Sequence, residues 1–216
     1  MIKVLSFDFD GTLVTHAFAD AFWLEGVPRL YARRHRVSIE DAATLLFKEY
    51  EKIGDNRIEW YDPGYWFDRF DLQTDWRKML LEYRTYAEVY PEVPQVLKRL
   101  SNRCTLIVSS NAKKEFIDVQ LQQTKLTGCF HRVFSSTSDF HTVKKVKDFY
   151  EMVTTVLGIA PGEMIHVGDH KEFDYQEPKQ HGITAYYLDR DHTSRGAHVV
   201  HDLVEFEQKI SRTEHQ

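Results

Sequence analysis

The sequence predicts an α/β protein, a parallel sheet with helices between its strands, interrupted after the first strand by an all-helical insertion. Three observations predict it. Short apolar runs at residues 2–7, 105–108, 132–134, 164–167 and 184–188 read as buried strands, each ending at a turn or small-residue signal. Helical patterns separate the later runs, and strands that alternate with helices pair in parallel. The stretch from about residue 14 to 90 contains helical patterns and no convincing strand, so the expected organisation is a core of residues 1–14 and 90–216 with a helical domain at 15–89.

Taken in order, the first run, IKVLSF, leads straight into Asp8-Phe9-Asp10-Gly11-Thr12. In the insertion, Ser38 with Asp41 resembles a capping box, and Ile39, Ala42, Leu46, Tyr50 and Ile53 follow at helical spacing until Gly54. Asp62-Pro63-Gly64 reads as a turn, with Trp66, Phe67 and Phe70 beyond it. All four tryptophans, Trp23, Trp60, Trp66 and Trp76, fall in this segment, where they either fill a small core or line a ligand site. Past residue 90, Val93, Val96, Leu97 and Leu100 share one helical face, as do Val146, Phe149, Val153 and Val156. Gly158 and Gly182 supply helix stops, and Pro178 delays or kinks the helix after Asp174.

A chain of 216 residues, 42% hydrophobic and 28% charged, carries enough apolar surface for one sizeable core with a smaller inserted one. Its net charge of -5, with acids and bases mixed, gives a nucleic-acid partner no electrostatic support. Cys104 and Cys129 lack metal-ligand spacing and read as reduced thiols, which fits a cytoplasmic location. No run approaches transmembrane length, so no membrane association is expected. Oligomeric state is left open.

Ligands of open parallel sheets sit beyond the carboxyl ends of the strands. Asp8 and Asp10 stand there, one residue apart and on the same side of the chain, with Phe9 opposite. Such a pair is either two turn-forming acids or a cation site, and neighbouring carboxylates repel unless a cation or proton is shared. Magnesium suits hard oxygen donors and bridges to phosphate. Ser109-Ser110-Asn111 follows the second strand, as a helix cap or a cradle for a phosphate oxygen. Lys144, in Thr142-Val143-Lys144-Lys145, could neutralise a phosphoryl group. Gly168-Asp169, with Asp174 five residues later, brings two more acids to a strand end.

In this order the residues resemble the haloacid dehalogenase superfamily over the whole chain. Asp8-Phe9-Asp10-Gly11-Thr12-Leu13-Val14 matches its first motif, Ser110-Asn111 its second, Lys144 its third (with Lys145 and Lys147 as nearby alternatives), and Gly168-Asp169 with Asp174 its fourth. Departures are Lys145 where the family often has Pro, and His170 where it has Ser or Thr. The resemblance implies a Rossmann-like core with a helical cap, of the phosphoglycolate-phosphatase and phosphomutase-like branch. It implies a Mg2+-dependent phosphatase acting on a small-molecule phosphate ester through an aspartyl-phosphate. Asp8 is the implied nucleophile and Asp10 the acid/base. Ser110 and Lys144 are catalytic and substrate-binding, joined at the substrate by Gly11, Thr12 and Asn111. Asp8, Asp10 (through its carbonyl), Asp169 and Asp174 hold the metal. A phosphomutase, or a phosphorylation-controlled binding protein, is the alternative. The substrate is not named by the sequence: a basic stretch at Arg29, Arg33, Arg34, His35 and Arg36 either meets an anionic ester or is a solvated helix face, and His170 lies near enough to touch one.

Overall fold

The structure, a computed structural model, describes residues 2–143 and 148–213. Six strands, β1 (Val4–Phe7), β2 (Thr105–Ser110), β3 (Arg132–Ser135), β4 (Met164–Gly168), β5 (Thr184–Leu188) and β6 (Val199–Val200), form one parallel sheet in the order β3-β2-β1-β4-β5-β6. The sequence pattern anticipates the first five. At two residues, β6 is too short to leave a periodic signal.

Register explains why the sheet gathers chemistry at one rim. Phe7 of β1 pairs with Val108 of β2 and with Val167 of β4, so these three adjacent strands end within two residues of one another. The residues at and just beyond these ends, Asp8, Ser109-Ser110 and Gly168-Asp169, emerge side by side. Alternation along β1 sends Leu5 and Phe7 into the core on one face of the sheet and Val4 into that on the other.

The helix Val93–Leu100 packs its four predicted apolar residues against the first face, all buried. Each such side chain contributes about 1.5–3 kcal/mol, against a few tenths for a surface pair, so burial and not propensity fixes this helix. On the other face lies the helix Asp148–Leu157. Its buried residues are Phe149, Tyr150, Val153 and Thr154, while Val156, expected on the core face, is exposed, and Val146 lies outside the described residues. At about 100° per residue, position 156 falls beside 149 at the edge of the arc that 149, 150, 153 and 154 span, so packing and not periodicity leaves it exposed; Tyr150 gains a partner by donating its hydroxyl to the Phe173 carbonyl at 2.8 Å.

Between β1 and β2 every regular element is helical, chiefly Val27–His35, Ile39–Ile53, Pro63–Arg69 and Trp76–Glu82. Ser38 caps Ile39–Ile53 by accepting the Asp41 N–H at 3.0 Å, and Gly54 ends it with φ +72°. Ala42, Leu46 and Tyr50 are buried as expected, but Ile39, at the first turn, is exposed. Asp62-Pro63-Gly64 is a helix start and not a free turn: Asp62 caps Pro63–Arg69 through the Gly64 N–H, with proline at a position that needs no donor. These helices share a hydrophobic cluster separate from those at the sheet. The chain enters and leaves the segment on adjacent antiparallel strands of backbone. Val14 pairs with Val89, the Thr15 N–H donates to the Glu88 carbonyl at 2.8 Å, and the Tyr90 N–H to the Leu13 carbonyl at 3.2 Å. Phe116, from the helix Lys114–Gln123, inserts into the segment's cluster, stacked on Trp23 and edge-on to Phe22. Among the described residues no helix is long and apolar enough to cross a membrane.

Inside that cluster the Tyr50 hydroxyl is buried with no hydrogen-bond partner among the described residues. Leaving such a group unpaired costs about 1–3 kcal/mol. Tyr50→Phe is therefore expected to raise the thermal midpoint by a few degrees; a fall measured by calorimetry contradicts the unpaired hydroxyl.

Candidate active site

Asp8 follows β1 with its backbone N–H still donating to the Val167 carbonyl at 2.9 Å, which fixes the carboxylate against the neighbouring strand. Phe9 is fully buried in the core, and the two flanking acids turn the other way. Carboxylate oxygens of Asp8, Asp169 and Asp174 lie within 4.8 Å of one another. The Asp10 carboxylate is not part of that group, in keeping with a contribution through its carbonyl.

Two glycines make the approach possible. Gly11 has φ +77°, and a Cβ there would stand 2.2 Å from an Asp169 carboxylate oxygen. A Cβ on Gly168 would stand 2.5 Å from the Asp174 carboxyl carbon. Neither position accepts a side chain without moving an acid.

Asp174 sits on a wide helical turn, Lys171–Gln176, of the π type often found at functional sites. Pro178, lacking an N–H, falls where the chain reverts to an α turn at Glu177–Gln180, so the expected irregularity after Asp174 is a change of helical pitch. Asp174 is fully buried, bonded through one oxygen to His166 Nε2 at 3.1 Å and accepting the His170 N–H at 3.0 Å with the other. His166 in turn bonds Ser6 at 2.8 Å, and Ser6 donates to Ser109 at 2.9 Å, so a buried polar chain runs beneath the site across β4, β1 and β2.

Ser110 ends β2, nearly fully buried, and accepts the Ala112 N–H at 3.2 Å. Asn111 is held through its carbonyl oxygens by Ser136 at 2.7 Å and Thr137 at 2.9 Å, while its amide donates to the Tyr61 hydroxyl at 3.2 Å. Thr12 is fully buried and bonds Asp169 at 3.4 Å. Gly11 and Thr12 are not among the residues that line the cavity over the acids. Lys144, with Lys145 and Lys147, lies outside the described residues.

A cavity of about 360 Å³ opens over these groups. Asp8, Asp10, Ser110, Asn111 and Asp169 form its floor, and Trp23, Trp60, Tyr61 and Phe116 its aromatic wall. Trp66 and Trp76 are buried in the helical cluster, so the four tryptophans divide between packing and lining. His170 also lines the cavity, stacked on Phe173 and 3.5 Å from Asp55 of the helical segment. Arg29, Arg33 and Arg34 do not line it; Arg29 pairs with Glu25 and Arg34 with Asp71.

Three residues of the site escape sequence reading. Arg190, just past β5, donates to the carbonyls of Gly11 at 3.1 Å and Thr12 at 2.7 Å, pairs with Glu92 at 2.9 Å and lies over the Tyr90 ring. It pins the turn that carries Asp10. Gln120 donates to Asp10 at 2.9 Å. His16 stands 3.5 Å from Asp169, and that hydrogen-bonding contact, against the opposing effect of burial, raises the imidazole pKa to about 9. Of these, Gln120 alone left a signal, as an amide within an apolar helical face beside Phe116, Ile117 and Leu121.

A family model of haloacid dehalogenase-like hydrolases matches residues 2–182. Among curated proteins, the GMP/IMP nucleotidase YrfG of Escherichia coli is 23% identical over 169 residues, 78% of this chain and 74% of the relative. Among solved structures, a HAD phosphatase from Thermococcus onnurineus aligns with a TM-score of 0.85 at 26% identity, over 97% of this chain and 98% of that one. A 2-haloacid dehalogenase from Pseudomonas syringae aligns with a TM-score of 0.71 at 20% identity, over 99% and 100% of the two chains, a likeness of fold.

The raised His16 pKa gives a prediction with a definite sign. The charged pair favours the fold below the free-histidine value of 6.5 and is lost as pH rises through about 9. A proton NMR titration of the metal-free protein is expected to find His16 titrating near 9, and Asp169→Asn to return it towards 6.5. A normal midpoint in both proteins contradicts the contact.

Proposed function

Because this chain belongs to the family of haloacid dehalogenase-like hydrolases, we propose that it is a magnesium-dependent phosphatase, hydrolysing a small phosphate ester through an aspartyl-phosphate. The observation that carries this reading is the pairing of two acids with separate surroundings on one turn. Asp8 groups with Asp169 and Asp174, while Asp10, outside that group, reaches the same cavity. Halide departure needs no proton, whereas an alkoxide leaving phosphorus does, and Asp10 is placed in sequence to supply it.

The donors fit magnesium: they are all oxygens, three carboxylates meet within 4.8 Å, and the glycines at 11 and 168 leave room for them. Asp8, Asp169, Asp174 and the Asp10 carbonyl would hold the ion, with Asp174 braced by His166. Bound there, it would offset negative charge on the transferring phosphoryl group.

The chain's own residues then carry two steps. The Asp8 carboxylate attacks phosphorus, the P–O bond to the leaving group breaks, and Asp10 gives that oxygen its proton. Water next attacks the phosphorus of the aspartyl-phosphate, Asp10 takes its proton, and phosphate leaves with Asp8 restored. Ser110 and Lys144 position phosphoryl oxygens, with Asn111 beside them. The helical segment, residues 15–89, acts as a cap that supplies Trp23, Trp60 and Tyr61 of the aromatic wall and excludes water. That wall, free of arginine, suits an ester whose leaving group offers a flat, uncharged face. Together with the nucleotidase among the relatives, it makes nucleoside monophosphates the substrate class we favour.

The test is phosphate release from para-nitrophenyl phosphate and from GMP, with magnesium and with chelator. Asp8→Asn is expected to abolish release while the circular dichroism spectrum is kept, and Asp10→Asn to slow turnover of GMP by about 10²–10⁴-fold. Substantial turnover by Asp8→Asn overturns the nucleophile, and an unaltered rate in Asp10→Asn overturns the acid/base.

A further inference from the structure

The helix Lys114–Gln123 turns a fully buried glutamine towards the site. Gln120 donates from Nε2 to the Asp10 Oδ1 oxygen at 2.9 Å, and its own carbonyl oxygen has no hydrogen-bond partner among the described residues. It is fully buried and does not line the cavity, so it lies out of a substrate's reach and meets the site at Asp10. Its neighbours on the helix, Phe116, Ile117 and Leu121, are buried, which holds the amide in place. For packing alone an apolar residue is the better occupant here, since a buried amide with an unpaired carbonyl is a cost. Asp10 also faces the cavity, and does not need a buried donor to be hydrated. The arrangement is costly for the fold and specific to one carboxylate.

We propose that Gln120 is a positioning residue for Asp10, one that fixes which carboxyl oxygen carries the proton. The inference rests on the phosphatase reading above. With an amide N–H already directed at Oδ1, a proton on that oxygen would face another hydrogen, so the acid form carries it on Oδ2. As the P–O bond breaks, that proton passes from Oδ2 to the leaving oxygen, and the vacated Oδ2 takes the proton of the attacking water in the second step. The amide also stops the carboxyl from rotating between the steps.

The test compares two esters of similar size, para-nitrophenyl phosphate and phenyl phosphate, by the rate of phenol release in the first turnover with magnesium. Nitrophenolate leaves without a proton; phenolate, a much stronger base, needs one. In Gln120→Met, release from phenyl phosphate is expected to fall by at least about tenfold, and from para-nitrophenyl phosphate by less than about threefold. Gln120→Leu, which also removes the donor and suits the apolar surroundings, should give the same split should the methionine variant fold poorly. Added to Asp10→Asn, Gln120→Met should cost nothing more on phenyl phosphate. Equal losses on both esters, or no loss on either, overturn the positioning role. Failure of the wild-type protein to release either phenol overturns the phosphatase reading instead, so the two failures are distinct.

Discussion

Three carboxylates held within 4.8 Å of one another are the constraint on which most of this structure depends. At an effective dielectric of 20, two full charges at that separation repel by about 3.5 kcal/mol. Three such pairs rival the whole stability of an ordinary domain, roughly 5–15 kcal/mol. The protein offsets part of this with fixed hydrogen bonds: His166 and the His170 N–H on Asp174, Thr12 and His16 on Asp169. The remainder is what a divalent cation would relieve. Glycine at 11 and 168, where any Cβ would displace a carboxylate, belongs to the same constraint.

The sheet delivers the acids, and other parts hold them still. The parallel register of β1, β2 and β4, whose ends fall within two residues of one another, brings Asp8, Ser110 and Asp169 to one rim. Beneath them the Asp174–His166–Ser6–Ser109 chain ties three strands together by side chains, where backbone pairing alone would leave the acids free to spread. Arg190 clamps the Gly11-Thr12 turn from beyond β5. Over the rim, contacts from the helical segment to the core cluster around the cavity mouth: Asp55 with His170, Tyr61 with Asn111, and Asp62 with Lys113 at 3.2 Å. Phe116 anchors the same segment from below.

Much of this is legible in the sequence because it is local. A strand that ends in DFDGT announces its acids, and Ser38-Ile39-Glu40-Asp41 announces its cap. Misreadings arise where a local pattern has two meanings. Asp62-Pro63-Gly64 serves a turn or a helix start equally well, and an aliphatic residue such as Val156 suits a helix face that tertiary packing then leaves exposed. Arg190 and Gln120 are hidden for a different reason. Their partners lie 179 and 110 residues away, and only the fold supplies such pairs. Histidines are the subtlest case: His166 reads as a stray residue in a strand, and acquires its meaning from a carboxylate eight residues on.

The proposed chemistry depends most on Asp8 acting as a nucleophile and not simply as a ligand. Protein mixed with a phosphate ester and magnesium, quenched in acid within one turnover and digested for mass spectrometry, tests this directly. The expected result is one phosphoryl group on the peptide that contains Asp8, removed by hydroxylamine as an acyl phosphate is, and missing from Asp8→Asn. Phosphate release at full rate with no phosphorylated peptide, or with the label on a different residue, would contradict it.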